Sequence, residues 1–311
     1  MDKFENIVRN VITDPILNIE CCSRLLHKNV VFHIHTNENE YAVKFFYKGI
    51  DIDSRYEKEL LIHNFFKKNG ILNVCEIVNV SDSICGKVII MDWIEGQSLK
   101  AKLKELGLTS CYNDINNMIA DLENIRSIDD IDLRNQLSVD RLGIENRFNS
   151  SEKKVLNAII KNKPNIDFTE IIEIYKTIKN KINPEFNYVI NSDISVHEYI
   201  LTTPKAYWID FETFKLGNPN NDLARAFQSL TNSIYKNAYE FYNIFLIFKN
   251  NKYYDKEIFL YYLTEKLFST IYTAKDQIDD NEIEFYIKFI KDNFYELKNK
   301  NPNIKKHSYF K

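Results

Sequence analysis

The sequence has few of the residues that mark several large classes of protein. It contains only seven glycines and six prolines in 311 residues, and no low-complexity linker interrupts it. Its five cysteines are an odd number without C-x2-C spacing, which argues against a disulfide framework and against a zinc site. No apolar run approaches the roughly 18 residues of a membrane-spanning helix, and the first residues lack the pattern of a signal peptide. We therefore expect a cytoplasmic protein without a membrane partner.

The charge and the apolar content of the chain are those of an ordinary globular protein. A formal net charge of -3 and a pI near 6.1 argue against a nucleic-acid binder that depends on phosphate contacts. Apolar residues make up 44% of the sequence and charged residues 27%, and 311 residues suffice for one large domain or two lobes. None of these numbers sets the oligomeric state.

The pattern of apolar residues changes along the chain from strands to helices. The predicted elements are, in order, a helix at 1–20, a β-meander at 22–47, a helix at 55–68 that ends before Gly70, strands at 74–80 and 87–91, and a mostly helical remainder with a two-strand insert at 188–211. This order predicts an α+β fold. We place an antiparallel-sheet lobe at 1–91, a hinge at 92–97 and a mostly helical lobe at 98–311.

Two aspartates stand where predicted strands end. The apolar runs 188–190 and 207–209 lead to Asp193 and Asp210. Their separation of seventeen positions is close to what a β-hairpin needs to bring both carboxylates together. A carboxylate at the end of a strand is held firmly yet stays exposed, which suits an acid–base group or a metal ligand.

The segment 187–224 resembles the catalytic and metal-binding loops of the aminoglycoside phosphotransferase and choline kinase family, small-molecule relatives of protein kinases. That family's pattern is roughly H-G-D-x4-N-I-L, then I-D-F-E or I-D-W-E, then G-D-P-x2-D-L-A. This chain keeps Asp193, I-D-F-E at 209–212 and G-x-P-x-x-D-L-A at 217–224. The resemblance implies a two-lobed, protein-kinase-like fold and transfer of the γ-phosphate of ATP or GTP to a hydroxyl group. It also implies that Asp222 braces the catalytic loop.

The resemblance assigns the phosphate site of the nucleotide to the N-terminal lobe. Lys44, in the strand sequence A-V-K, would pair with the α- and β-phosphates. A carboxylate on the following helix would hold this lysine. Glu59 fits the family's spacing, and Glu57 is the alternative.

The hinge is the expected binding site for adenine. Adenine needs one backbone carbonyl and one N–H at a fixed separation, and the resemblance places these at Asp92 and Ile94, with Met91 at the back of the slot. An ordinary strand-to-helix turn is the alternative interpretation of this segment.

Acid–base chemistry and Mg²⁺ binding fall to three carboxylates. Asp193 would accept the proton of the acceptor hydroxyl or orient it, and Asp210 would bind Mg²⁺. Glu198 stands where the family has a metal-binding Asn and could act as the second oxygen ligand. If the loop were shifted by one residue, His197 would take this position instead, although nitrogen is a poor donor for Mg²⁺. Asn191 replaces the family's His. These departures leave a catalytically impaired, nucleotide-binding pseudokinase as the alternative.

Two further features bear on the acceptor. No glycine precedes Gly49, so the turn predicted at 27–29, before Lys44, is glycine-poor, as in the related small-molecule kinases. In addition, the A-P-E signature of protein kinases does not follow Asp210. Five carboxylates between 276 and 284 could receive a cationic amine, as in an aminoglycoside or choline, with a solvated acidic loop as the alternative. We therefore expect a small, amine-bearing or sugar-like acceptor.

Overall fold

The computed structural model describes residues 2–22, 29–47, 49, 51–83, 86–232, 234–274 and 278–299. The chain forms two compact units, the first comprising Met1–Ser98 and His197–Phe214 and the second comprising Leu99–Val196 and Lys215–Lys311. The segment that carries Glu198 and Asp210 therefore packs with the N-terminal part of the chain. The lobe bounds inferred from the sequence, with their hinge at 92–97, stay a prediction.

Strands come first and helices follow. The elements up to residue 98 are α1 (Asp2–Val11), β1 (Ile16–Cys21), β2 (Asn29–Thr36), β3 (Glu40–Phe46), α2 (Ile52–Asn69), β4 (Ile77–Ser83), β5 (Gly86–Asp92) and β6 (Gln97–Ser98). Those of the later part are α3 (Leu99–Arg126), α4 (Ile131–Gln136), α5 (Ile144–Phe148), α6 (Glu152–Asn162), α7 (Thr169–Lys179), β7 (Tyr188–Asn191), β8 (Tyr199–Leu201), β9 (Ala206–Trp208), β10 (Phe214–Gly217), α8 (Pro219–Thr231), α9 (Ala238–Lys249), α10 (Lys256–Thr273) and α11 (Asp280–Asn299). The α+β class predicted from the sequence is confirmed.

A five-stranded antiparallel sheet, in the order β1-β2-β3-β5-β4, forms most of the first unit. Phe32 and Ile34 of β2 and Val43 and Phe45 of β3 form a buried core with α1. Because side chains alternate across a strand, the residue between Val43 and Phe45 faces the opposite side of the sheet. That residue is Lys44, so the packing of α1 decides which face of the sheet carries the lysine.

The two strongest periodic patterns of the N-terminal part are confirmed. Strands β2 and β3 pair antiparallel across the polar turn of the predicted meander. Helix α2 covers the predicted 55–68 and ends at Gly70, whose φ of 61° and N–H bond to the Lys67 carbonyl are those of a left-handed cap. The predicted turn at 27–29 lies, except for Asn29, outside the described residues.

The helix predicted over residues 1–20 is wrong in its second half. Helix α1 ends at Val11, and residues 16–21 form strand β1 at the edge of the sheet. Pro15 removes a backbone donor and disfavours helical geometry just before it. The register of β1 against β2 shifts between Ile16 and Asn18, and this irregularity hides the period of two that would reveal a strand.

The hairpin expected between the two aspartates is also wrong. Strand β7, which leads to Asp193, pairs with β10, whereas β9, which leads to Asp210, pairs with β8 in a different sheet. These strands have three or four residues each, too few for an apolar pattern to specify the partner strand.

The second unit is mostly helical, and α8 packs against α3, α9 and α10. Every residue of α8 except Ser229 is buried, as expected of a helix inside a domain. Near its middle, the ring of Phe227 lies 5.1 to 5.9 Å from the rings of Phe241, Phe245, Phe248, Phe259 and Phe289. The helical core predicted from apolar spacing in the C-terminal third is confirmed. No helix within the described ranges has the length and apolarity to cross a bilayer.

Replacing Phe227 with Ala should cost about 3–5 kcal/mol of unfolding free energy, because it removes a fully buried ring and leaves a cavity among five others. Urea unfolding followed by circular dichroism would measure this. Tyr239→Ala is the matched control, since Tyr239 is 64% exposed and its loss should change stability by less than about 0.5 kcal/mol. Equal effects of the two substitutions would contradict the prediction.

Candidate active site

Three charged side chains meet on the face of the first unit's sheet that α1 leaves uncovered. Lys44 Nζ lies 3.0 Å from Glu59 Oε2 and 2.9 Å from Asp210 Oδ1. Lys44 and Glu59 are buried, whereas 40% of the Asp210 side chain is exposed. Glu57, the alternative partner for the lysine, is exposed on α2. The ion pair on the lysine therefore comes from the glutamate that the sequence favours.

Asp210 is fixed by the backbone and by the residue after it. Its φ of 68° is left-handed, a conformation that costs energy for a residue other than glycine and that persists only where neighbouring structure enforces it. The Phe211 N–H donates to Glu59 Oε2 at 2.7 Å. The Phe211 ring packs against His63 and Phe66, which belong to α2, and also against Phe214. Glu59 thus holds both Lys44 and the backbone beside Asp210.

The charges in this cluster depend on one another. Burial acts to lower the pKa of Lys44, but the carboxylates of Asp210 and Glu59 outweigh burial and raise this pKa, so the ammonium group keeps its charge. Burial raises the pKa of Glu59, and Lys44 opposes that effect. Since the carboxylates of Glu59 and Asp210 share the single ammonium group of Lys44, the cluster has an excess of negative charge. The partly exposed Asp210 is therefore a favourable place for a cation.

The second predicted metal ligand, Glu198, is linked to Asp210 through the backbone. The Glu198 carbonyl accepts the N–H of Ile209 at 3.1 Å, which places the two carboxylate-bearing residues on neighbouring backbone segments of the first unit. Glu198 is partly buried and His197 is exposed. Oxygen donors from two carboxylates fit the preference of Mg²⁺.

Glu212 has a role in this unit that the sequence did not indicate. Its Oε2 accepts from Asn29 Nδ2 at 2.7 Å and lies 3.5 Å from Arg55 Nη1, and Arg55 also donates to Asn29 Oδ1 at 2.5 Å. These contacts tie β2 and α2 to the segment after Asp210. Glu212 belongs to the I-D-F-E run, but its partners lie more than 150 positions away, and no local pattern could have revealed them.

The segment 92–97, predicted to be the hinge, has a backbone donor available. The N–H of Asp92 donates to the Glu76 carbonyl and that of Trp93 to the Glu40 carbonyl, whereas the described hydrogen bonds include none from the N–H of Ile94. Met91 and Ile94 are partly buried and Asp92 is exposed. A planar base edge could therefore bind the backbone at Ile94.

In the second unit, Asp193 is surrounded by cations. Its Oδ1 lies 3.0 Å from Arg225 Nη1, 3.3 Å from Arg147 Nη2 and 3.4 Å from Lys266 Nζ. Burial acts to raise the pKa of Asp193, but Lys266 and Arg147 outweigh it and lower this pKa. The carboxylate is half-exposed and ionised at neutral pH, so it can accept a hydrogen bond. No pattern in the sequence indicated these three cations, which come from distant parts of the chain.

Asp222 supports the loop that ends at Asp193. Its carboxylate lies 2.5 Å from Arg126 Nη2, with both side chains fully buried. Burial raises the pKa of Asp222 to about 6, against the lowering effects of Arg126 and of the backbone N–H of Asn191. Asn191 in turn accepts the Asp193 N–H through its side-chain oxygen at 3.2 Å. The substituted Asn191 therefore still contributes a hydrogen bond to the loop.

A polar cavity of about 420 Å³ lies beside Asp193 in the same unit. Its charged lining residues are Asp140, Arg141, Arg147 on α5, Lys215 on β10, Arg225 on α8 and Glu265 on α10. Asp140 is engaged by Lys215 and by Asn221, each at 2.6 Å. Glu265 is 5% exposed, and its Oε2 has no hydrogen-bond partner among the described residues; burial raises its pKa to about 7, against the lowering effect of Arg147.

Replacing Glu265 with Gln should change how stability depends on pH. The folded-state pKa of about 7 exceeds the ordinary value of 4.5, so between these pH values the folded chain binds a proton that the unfolded chain has released. Stability from this group is present below pH 4.5 and is lost as pH rises through 7, by up to ~3 kcal/mol. Urea unfolding at several pH values should show this loss in full in the wild type and in Glu173→Gln, an exposed control on α7, whereas the loss in Glu265→Gln should be smaller by up to ~3 kcal/mol. Identical profiles for all three proteins would contradict it.

Neither a protein-family model nor a curated protein matches the chain in sequence. Solved structures do match it in fold. A spectinomycin phosphotransferase in complex with ADP and spectinomycin aligns over 94% of this chain and 98% of its own, with a TM-score of 0.60 and 13% identity. The GDP complex of aminoglycoside 2′-phosphotransferase-IIIa aligns over 95% and 98%, with a TM-score of 0.60 and 12% identity.

A choline kinase from Streptococcus pneumoniae aligns over 94% of this chain and 99% of its own, with a TM-score of 0.59 and 16% identity. At such identities the match concerns the fold. The chain therefore has the protein-kinase-like fold found in small-molecule phosphotransferases for aminoglycosides and choline, and the resemblance carried by segment 187–224 is confirmed at that level.

Proposed function

We propose that the protein is a phosphotransferase that uses ATP or GTP with Mg²⁺ and moves the γ-phosphate to a hydroxyl group of a small molecule. The observation that carries this proposal is the contact of Lys44 with both Glu59 and Asp210, in a chain whose fold is that of small-molecule kinases. The cytoplasm, where nucleoside triphosphates and Mg²⁺ are abundant, is the compartment we propose for it.

The first unit would bind the nucleotide. Lys44 would hold the α- and β-phosphates, because its ammonium group is charged and is fixed by Glu59. Asp92 and Ile94 would bind the base edge through the backbone, with Met91 behind it. Structural neighbours contain ADP or GDP, which supports a nucleotide here without choosing between adenine and guanine.

Asp210 and Glu198 would bind the metal ion. Asp210 is partly exposed and negatively charged, and its left-handed backbone holds the carboxylate at one end of the Lys44 cluster. Mg²⁺ bound there would neutralise phosphate charge during transfer. Glutamate in place of asparagine at 198 keeps an oxygen donor and adds a negative charge, so we expect metal binding to be retained.

Asp193 would act on the acceptor. Its ionised carboxylate can accept a hydrogen bond from the hydroxyl group, orient it, and take its proton as the new P–O bond forms and the bond to the β-phosphate oxygen breaks. The cations that lower its pKa make it a weak base, so orientation is its larger contribution. In this proposal the first unit binds the nucleotide and the metal ion, and the second unit acts on the acceptor.

Asp210→Ala should abolish the Mg²⁺-dependent stabilisation by nucleotide. A ligand that binds only the folded state raises the free energy of unfolding, by about 2.7 kcal/mol at a ligand concentration of one hundred times Kd, and so raises the melting temperature. Thermal melts with ATP and with GTP, each with and without Mg²⁺, would measure this on the wild type, Asp210→Ala and Asp53→Ala. Asp53 is an exposed residue of α2, so its variant should behave as the wild type. No shift of the wild type with either nucleotide would refute the nucleotide site.

Asp193→Asn should leave the nucleotide-dependent shift intact but lower turnover by about 10²–10⁴-fold, because the neutral amide orients the hydroxyl group less firmly than a carboxylate and cannot take its proton. The measurement is ADP or GDP release in the presence of pooled hydroxyl-bearing small molecules, with Asp129→Asn as a surface control. If the wild type binds nucleotide but phosphorylates no acceptor, the pseudokinase alternative replaces the kinase. Phosphate on a protein band would instead indicate a protein substrate.

A further inference from the structure

The surroundings of Asp193 are unusual for a site that receives a cationic acceptor. Arg147, Arg225 and Lys266 place three positive charges within 3.0 to 3.4 Å of one carboxylate oxygen, a net charge of +2 for these four side chains. An ammonium group brought to the same carboxylate would meet like charges at close range, which is unfavourable. An anionic group would complete the charge balance.

The cavity beside Asp193 has the same excess of positive charge. Asp140 and Lys215 neutralise each other across 2.6 Å, which leaves Arg141, Arg147 and Arg225 against Glu265 alone. Arg147 and Arg225 both line the cavity and contact Asp193, so the cavity and the carboxylate share two guanidinium groups. A ligand in this space would lie against the group proposed to act on its hydroxyl.

The two guanidinium groups differ in how firmly they are held. Arg225 is 2% exposed, and its Nε donates to Asn221 Oδ1 at 2.6 Å, so it is fixed between Asn221 and Asp193. Arg147 is 25% exposed in its side chain and contacts Asp193 at the longer distance of 3.3 Å. Arg147 can therefore turn to an anionic ligand while Arg225 keeps Asp193 in position.

The acidic segment that suggested an amine-bearing acceptor is largely engaged elsewhere. Asp280 pairs with Lys163 at 2.8 Å, and Asp279 accepts from the Tyr235 hydroxyl at 2.9 Å. Glu282 is also screened, since it interacts with the positive charge of Lys100. Asp276 lies outside the described residues. Three of the four described carboxylates of this segment, those of Asp279, Asp280 and Glu282, thus have cationic or hydrogen-bonding partners of their own.

We propose that the cavity lined by Arg147, Arg225 and Glu265 binds the acceptor, and that this acceptor is a hydroxyl-bearing small molecule with an anionic group, carboxylate or phosphate. Arg147 takes the anionic group, and the hydroxyl group faces Asp193. The identification of this ligand as an acceptor rests on the proposed phosphotransferase function, but the binding of an anion does not. An anionic acceptor replaces the amine-bearing acceptor that the sequence suggested.

Four probes built on one sugar ring separate the possibilities: D-glucuronate with a carboxylate, α-D-glucose 1-phosphate with a phosphate, neutral D-glucose and cationic D-glucosamine. Thermal melts without nucleotide should show stabilisation by glucuronate, by glucose 1-phosphate or by both, and a smaller or no effect of the other two. Preference between the two anions identifies the anionic group. The proposal is overturned if glucosamine stabilises the protein as much as the better of the two anions, or more. It is also overturned if neither anion stabilises the protein.

Variants of Arg147 locate the site. Arg147→Gln should weaken binding of the better anion by about tenfold, the scale of one charge-assisted contact, and Arg147→Lys should restore part of it. Lys161→Gln removes the same charge from an exposed position on α6 and should bind as the wild type does. If Arg147→Gln and Lys161→Gln weaken binding equally, the anion is attracted by overall charge and the assigned cavity is wrong.

The same proteins separate this proposal from the proposed function. Mg²⁺-dependent stabilisation by ATP or GTP in Arg147→Gln shows that the variant is folded and that its nucleotide site is intact. Anion binding in a wild type that shows no nucleotide-dependent shift would refute the kinase and keep the anion site. A nucleotide-dependent shift in a wild type that binds neither anion would refute the anion site and keep the kinase.

Discussion

One carboxylate oxygen joins the three parts of the first unit that the proposed chemistry needs. Glu59 Oε2 accepts from the ammonium group of Lys44 on the sheet and from the backbone N–H of Phe211, next to Asp210. Helix α2 supplies this glutamate, and the packing of His63 and Phe66 against Phe211 fixes the helix against the same segment. Displacing α2 would therefore disturb the lysine and the candidate metal ligand together.

Short-range patterns in the sequence predicted the parts of this arrangement that depend on local chemistry. Alternating apolar residues indicated the strand of Lys44, helical spacing and Gly70 indicated α2, and the run 209–224 indicated Asp210 and Asp222. The sequence failed where partners are distant. It could not show that β7 pairs with β10, that Arg55 and Asn29 hold Glu212, or that three cations surround Asp193, since each of these depends on tertiary packing.

The match to small-molecule kinases at 10–16% identity shows how little sequence the fold requires. The helical core of this chain is rich in aromatic rings, and Phe227 is enclosed by five other phenylalanines. A core of this kind needs apolar volume in the right pattern rather than particular residues. The carboxylates and the lysine of the candidate site have no such freedom, because charge and hydrogen bonding depend on residue type.

The stacking of Trp93 on His33, with ring centroids 3.6 Å apart and planes 10° apart, has a practical consequence. The chain has two tryptophans, Trp93 and Trp208, and both belong to the first unit. Trp208 is 1% exposed, whereas Trp93 is partly exposed and lies between Asp92 and Ile94. Indole fluorescence of the unmodified protein therefore reports on the first unit alone, and the part of this fluorescence that responds to added quenchers comes from Trp93.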